Sequence, residues 1–117
     1  MVRGSRRYRL TGTGAFETVF RSGRRREGAY LQMVSMAAVR ECGRAGFVIG
    51  RKALPLAVDR NRVRRMLRGV LRDARPAIDS YDLIVRLKRG APRALFPSIA
   101  AEAAHLLATL AAHHRKE

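Results

Sequence analysis

From Val63 to Ala74 the apolar residues are Val63, Met66, Leu67, Val70, Leu71 and Ala74. That spacing of i, i+3, i+4, i+7, i+8 and i+11 belongs to a helix burying one stripe. It predicts a helix from Val58 or Asp59 to Ala74, with Asp59 at the N-cap or in the first turn and Pro76 ending it. A second amphipathic stretch, from Gly14 or Ala15 to about Ser22, puts Phe16, Val19 and Phe20 on one face and stops at Gly23. A third opens at Pro97 and runs to about His113, with Ile99, Ala103, Leu106 and Leu110 at i, i+4, i+7 and i+11. Between the helices the pattern turns to β-type. Ala29–Val39 is rich in β-branched, aromatic and long apolar residues and reads as a strand. Arg40–Arg44 reads as a hairpin-like turn and Ala45–Arg51, with Phe47-Val48-Ile49, as the returning strand. Tyr81–Leu87 has a continuous apolar centre, the mark of a strand interior to a sheet. The predicted order is α-β-β-α-β-α. The expected fold class is an α/β (α+β) sandwich, a small mixed sheet with helices packed on it.

The polar side of the 63–74 pattern changes the picture from fold to chemistry. Opposite the apolar stripe fall Asn61, Arg65, Arg68 and Arg72, flanked by Arg62 and Arg64, and no carboxylate stands between Asp59 and Asp73. Guanidinium forks along one exposed helix face suit phosphate, which accepts them bidentately. A merely solvated face ordinarily mixes signs. The 117-residue chain as a whole carries a formal charge of +16 and a pI near 11.8, which points to a polyanionic partner. The excess sits in two blocks. Between Arg51 and Arg75 there are nine basic and two acidic residues; the N-terminal part adds Arg3, Arg6, Arg7, Arg9, Arg21, Arg24, Arg25 and Arg26 against Glu17 and Glu27. Residues 1–9 read as a basic arm, flexible until it meets a partner. The ratio of 22 arginines to 3 lysines carries no argument, because genome-wide codon bias would produce it too.

Other features narrow the class. A hydrophobic content of 47% argues against a disordered basic tail, and the length suits a single domain over 1–117 with one modest core. The single Cys42 can form no internal disulfide and reads as an inert loop thiol in a reducing compartment. His105 and the pair His113-His114, beside Arg115-Lys116, read as features of a C-terminal helix rather than as metal ligands. The acids Glu17, Glu27, Glu41, Asp59, Asp73, Asp79 and Asp82 are scattered, which argues against an autonomous two-metal nuclease. Asp82, at the start of a strand, reads as structural, capping or pairing with a nearby arginine. The basic start is followed by Thr11-Gly12-Thr13-Gly14 rather than an apolar core, so no secretory signal is expected. No apolar run is expected to span a membrane, and the chain reads as soluble and cytoplasmic.

Arg9-Leu10 with Phe16–Phe20, Gly46–Lys52, Arg60–Arg65 with Arg68, and Tyr81–Val85, in that order, resemble the protein subunit of bacterial ribonuclease P. Arg9-Leu10 with Phe16-Glu17-Thr18-Val19-Phe20 and Gly23-Arg24 is similar to that family's opening helix. Gly46-Phe47-Val48-Ile49-Gly50-Arg51-Lys52 is similar to the strand leading into its basic doublet. Arg60-Asn61-Arg62-Val63-Arg64-Arg65 with Arg68 is similar to its RNR motif, and Tyr81-Asp82-Leu83-Ile84-Val85 to the strand after it. The resemblance covers most of residues 9–90. It departs at Gly69, where the family usually carries an acid, and at Ala53 and Leu54-Pro55-Leu56, which replace a more polar loop.

The resemblance implies a fold shared with the second domain of ribosomal protein S5, including a left-handed βαβ crossover. It implies a subunit that binds a large catalytic RNA and helps it remove the 5′ leader of precursor tRNA, the RNA performing the hydrolysis with magnesium ions. RNA-binding roles then fall to Arg51, Lys52, Arg60, Asn61, Arg62, Arg64, Arg65, Arg68 and Arg72. Phe16 and Phe20 match aromatic positions of a leader cleft between the first helix and the sheet, and Tyr30 is the aromatic that the following strand offers to it. No catalytic side chain, membrane or small-molecule substrate is implied.

Two aromatics at i and i+4 are also what an ordinary core pair looks like. Phe16 and Phe20 are therefore expected to be partly packed and partly available for stacking. A ribosomal protein or general RNA chaperone would explain the arginines equally well. A membrane-active basic helix would not, since the 63–74 stripe is needed for the core and lacks aromatic interfacial anchors.

Overall fold

The computed structural model describes residues 8–40 and 42–116. In chain order these form α1 (Thr13–Ser22), β1 (Arg24–Glu27), β2 (Leu31–Ala37), β3 (Ala45–Val48), α2 (Ala57–Asp73), β4 (Tyr81–Leu87) and α3 (Phe96–Lys116), with a short 3-10 turn at Arg93–Leu95. The strands build one mixed sheet in the order β1-β2-β4-β3. β1 with β2 and β2 with β4 are antiparallel, while β3 and β4 run parallel, joined through α2. The architecture is the expected α+β sandwich.

Two strand expectations are corrected. β2 and β3 are not hairpin partners, because β4 lies between them and pairs Val85 with Met33 on one side and Phe47 on the other. The apolar centre of β4 has to be covered on both faces, which makes the centre of the sheet its place. Glu41, in the turn expected between β2 and β3, lies outside the described residues. The second correction is β1 itself, Arg-Arg-Arg-Glu, which the order α-β-β-α-β-α omits. Nothing in its side chains favours a strand. It forms by hydrogen bonding to the edge of β2, with Arg24 opposite Ser35 and Glu27 opposite Gln32.

Alternation sorts the sheet residues onto two faces. Leu31 and Met33 of β2, Leu83, Val85 and Leu87 of β4 and Ala45 of β3 meet the stripe Val63, Leu67 and Leu71 of α2. Ile99, Ala103, Leu106, Leu107 and Leu110 of α3 close the same core. Met66, Val70 and Ala74 pack at its margin. The predicted stripes of α2 and α3 are thus the ones buried. On the opposite face a smaller cluster of Leu10, Val19, Val34 and Ile84 gathers under α1, with Phe16 and Phe20 packed against it.

Element ends differ by a few residues from the sequence reading. α2 begins at Ala57 and has Leu56 at its N-cap, without a side-chain cap; Asp59 sits in the first turn and accepts 2.7 Å from Arg93 Nε. Gly23 follows α1 with an extended backbone, φ −78°, rather than a left-handed cap. Close approach is the reason for glycine there, since a Cβ would fall 2.5 Å from Val34 Cγ1 and from the Val19 carbonyl. Arg9, placed by sequence in a flexible arm, instead bridges Ala45, and the Ala45 N–H donates to the Tyr8 carbonyl at 2.7 Å. The rest of that arm, residues 1–7, lies outside the described residues.

Two buried or half-buried carboxylates fix loops. Asp82, 2% exposed, accepts from the Arg44 N–H at 2.9 Å and lies 3.8 Å from its guanidinium, the structural role expected of it. Glu102 of α3 accepts from the N–H groups of Ala29, Tyr30 and Leu31 at 2.7 to 3.2 Å, pinning the β1–β2 turn to the helix. Contrary to the sequence expectation, the Arg93–Ala112 segment is long and apolar enough, by length and composition, to cross a membrane. Its apolar stripe is the one already buried against the sheet, which is the placement of a core helix.

Candidate nucleic-acid interface

The polar face of α2 is where the sequence placed it. Asn61, Arg62, Arg65, Arg68 and Arg72 are exposed, and Arg64 is half-buried. Burying Val63, Leu67 and Leu71 against the sheet forces this outcome, because the helical period turns the intervening arginines outward. Among the described residues none of these arginines forms an ion pair; Arg64 Nη1 donates only to Asn61 Oδ1, at a long 3.4 Å. Arg51 and Lys52 are exposed on the turn between β3 and α2.

Arg60 behaves differently. Its Nη1 donates to the carbonyls of Leu54 and Pro55 at 2.8 and 2.9 Å, tying down the loop that enters the helix. Three further arginines are anchored: Arg44 beside Asp82, Arg75 on Asp79 and Arg93 on Asp59. The remainder of the charge on α2 is available.

That charge borders a cleft of about 450 Å³ at the β3 edge of the sheet. Its apolar side is Leu10, Phe16, Ala45, Phe47 and Leu71, and its rim is Arg9, Arg64, Arg68, Arg72 and Arg75. Gly46 forms part of the floor, and a side chain there would overlap the Phe16 ring. Tyr8 closes one end, with the Arg75 guanidinium 3.9 Å above its ring. No carboxylate lines the cleft. The crowding of like charge registers on Arg68: partial burial, then Arg9, then Arg64 lower its affinity for its proton below the ordinary arginine value. Cations held together without counter-charge favour an anion among them.

A second open surface lies on the α1 side of the sheet. One row of the register, Glu27–Gln32–Arg86–Val48, crosses all four strands next to the row that α1 covers. Gln32, Arg86 and Val48 are only half-buried. Gln32 donates to Glu27 at 2.7 Å and lies 3.5 Å from Arg86, while Lys88 reaches Glu27 at 2.9 Å. The hydrogen bond from Gln32 and then that from Lys88 hold the Glu27 carboxyl below its usual value, so it is ionised and already partnered.

The structure brings Phe16 and Phe20 together on α1, half-buried and packed against the smaller cluster beside these surfaces. Tyr30 does not join them. It packs against the larger core and has Arg89 5.2 Å from its ring centroid. Sequence reasoning missed Tyr8, Arg9 and Arg75 in the cleft, and Gln32 and Arg86 in the open row. Arg86 carried a readable signal, a charge at the one interior position of β4 that interrupts its apolar run. Cys42 is half-buried in the β2–β3 loop, and the side chains of His113 and His114 lie outside the described residues.

A model of the ribonuclease P family matches residues 5–111 of the chain. The ribonuclease P protein component of Acidothermus cellulolyticus is 37% identical over 107 residues, covering 89% of this chain and 88% of that protein. That of a Synechococcus strain is 35% identical over 105 residues, covering 86% and 79%. Among solved structures, the Staphylococcus aureus RNase P protein superposes with a TM-score of 0.79 at 20% identity over 88% of this chain and 94% of that one. The Thermotoga maritima RNase P protein gives 0.69 at 22% identity, over 85% and 94%. At such identities the structures speak to fold, and kinship rests on the sequence matches.

Proposed function

The chain belongs to the ribonuclease P protein family, and we propose on that footing that it binds the catalytic RNA through α2 and the 5′ leader of precursor tRNA beside α1. It is a subunit of the ribonuclease P ribonucleoprotein, acting in tRNA 5′ maturation. The observation that carries the placement is the convergence of unpaired arginines of α2 on a cleft that also holds Phe16. Arginines at this density neutralise phosphate and make assembly salt-sensitive, log K falling by about 0.7 to 0.9 per contact against log salt. Arg60 fits the same surface in a supporting role, since its tether to the Leu54 and Pro55 carbonyls fixes where α2 starts.

Phe16 and Phe20, backed by Val34 and Ile84, offer the leader a stacking wall, and Gln32 and Arg86 offer polar groups on the open row. Stacking on aromatics is worth about 1–3 kcal/mol per base and tolerates any base, which suits a subunit serving many leaders. Hydrolysis in this reading belongs to the RNA, and the isolated protein is inactive. Magnesium is held mainly by RNA as well. The residues of this chain do not fit the ion: Glu27, Asp59, Asp79 and Asp82 are each paired with a cation, and no cluster of three ligating side chains occurs among the described residues. The ribosomal-protein or chaperone alternative is not favoured, since family and relatives agree on ribonuclease P.

The test is cleavage of a precursor tRNA by the cognate catalytic RNA at near-physiological magnesium, with and without the protein. Restored turnover, with none from the protein alone, is the expected result. Phe20→Ala is expected to weaken precursor binding about fivefold or more while leaving mature tRNA unaffected. Unchanged cleavage despite tight RNA binding would sink the reading.

A further inference from the structure

The open row Glu27–Gln32–Arg86–Val48 ends at β1, the edge strand farthest from the arginine face of α2. Three interstrand steps of about 4.8 Å separate the two edges, roughly 14 Å of path. A strand of RNA entering beside α2 and crossing this row leaves the sheet over β1. There the chain presents arginine again. Arg21 at the end of α1 and Arg24 and Arg25 of β1 are all exposed, and none is ion-paired to a carboxylate among the described residues. The neighbouring acid, Glu27, does not neutralise them, because Lys88 and Gln32 already occupy its carboxylate. Alternation turns Arg25 to the α1 side, where its Nη2 donates to the Phe20 carbonyl at 2.9 Å, and turns Arg24, opposite Ser35, to the side of the larger core. The contact with Phe20 positions the Arg25 guanidinium at the mouth of the row beside the aromatic wall.

We propose that the β1 edge is a second phosphate-binding site, a rail of Arg21 and Arg25 that holds the distal part of a long single-stranded RNA leader. The inference rests on the leader reading given above and extends it to the far edge of the sheet. The competing role for these arginines is to keep an edge strand from pairing with other chains.

The experiment uses the complete complex of protein and catalytic RNA. Precursor tRNAs carry leaders of about four or about twelve nucleotides, bracketing the reach of single-strand grooves, and mature tRNA serves as reference. For the unaltered protein the long leader is expected to bind more tightly than the short one. The double variant Arg21→Ala/Arg25→Ala should lose roughly tenfold in affinity for the long leader and about 1.4 in salt slope, two phosphate contacts' worth, with the short leader unchanged. Arg21→Ala alone, which leaves the tether to Phe20 intact, should lose about 0.7 in salt slope for the long leader, Arg24→Ala on the far face should lose none, and unchanged melting of these proteins confirms folding. If the long-leader advantage survives in Arg21→Ala/Arg25→Ala, the rail is wrong and the arginines serve only to guard the edge. Equal binding of short and long leaders by the unaltered complex, with mature tRNA still weaker, also overturns the rail but leaves the leader site standing. Equal binding of precursor and mature tRNA brings down both.

Discussion

The two faces of the sheet are built from the same strands by the same alternation, yet they meet opposite fates. One face, carrying Leu31, Met33, Leu83, Val85 and Leu87, is sealed by α2 and α3. The other is roofed only by the ten-residue α1, which covers Val34 and Ile84 and leaves Gln32, Arg86 and Val48 part-exposed. Covering the first face produces stability and, as a by-product of helical period, an outward arginine surface on α2. Leaving the second half-covered leaves a polar row open beside α1. In the proposed function the sealed face positions the arginines and the open face offers room for the leader.

That contrast is broken most sharply from the sealed side. Leu67 is 1% exposed between α2 and the sheet. Leu67→Ala is expected to cost about 3–4 kcal/mol of unfolding free energy, a large part of the 5–15 kcal/mol typical of a small domain. Urea titration followed by circular dichroism measures it. Gln32→Ala on the open face is expected to stay within about 0.5 kcal/mol. Equal losses at the two positions would mean that the faces are not energetically distinct.

A smaller effect tests how α1 seats on the open face. Gly46 lies against the Phe16 ring so closely that any side chain overlaps it. Gly46→Ala is expected to cost about 1–3 kcal/mol by overpacking. Trimming the ring in Gly46→Ala/Phe16→Leu should recover part of that loss, a coupling visible in a double-mutant cycle. Additive losses would show that Phe16 does not bear on β3.

How much of this was legible follows from which forces are local. The stripes of α1, α2 and α3 were readable because helical period is written in consecutive residues, and Leu83-Ile84-Val85 announced an interior strand for the same reason. The partner of each strand was not readable. Nothing in Ala45–Val48 says that it runs parallel to β4 instead of returning along β2, since pairing is settled by contacts far apart in sequence. β1 has no strand propensity at all and exists by hydrogen bonding to its neighbour. The site shows the same division. The exposed arginines of α2 were read from spacing, whereas the recruitment of Tyr8 and Arg9 and the turning of Tyr30 into the larger core depend on tertiary packing.

The smallest effect on stability separates arginines that hold the fold from arginines that donate to no protein group among the described hydrogen bonds. Arg60 donates to the Leu54 and Pro55 carbonyls, so Arg60→Ala leaves two acceptors short of a donor and is expected to cost about 1 kcal/mol. Arg68 donates to no protein group in the described hydrogen bonds, and its charge is opposed by burial and by Arg9 and Arg64. Arg68→Ala is therefore expected to leave stability within about 0.5 kcal/mol of the parent, on the stabilising side. On RNA the order reverses. Losing Arg68 should lower the slope of log K against log salt by about 0.7 to 0.9, the share of one phosphate contact. The two variants are compared by thermal melting and by filter binding to the catalytic RNA across a salt series. A destabilised Arg68→Ala protein with an unchanged salt slope would place Arg68 among the structural arginines and move the RNA surface off this face of α2.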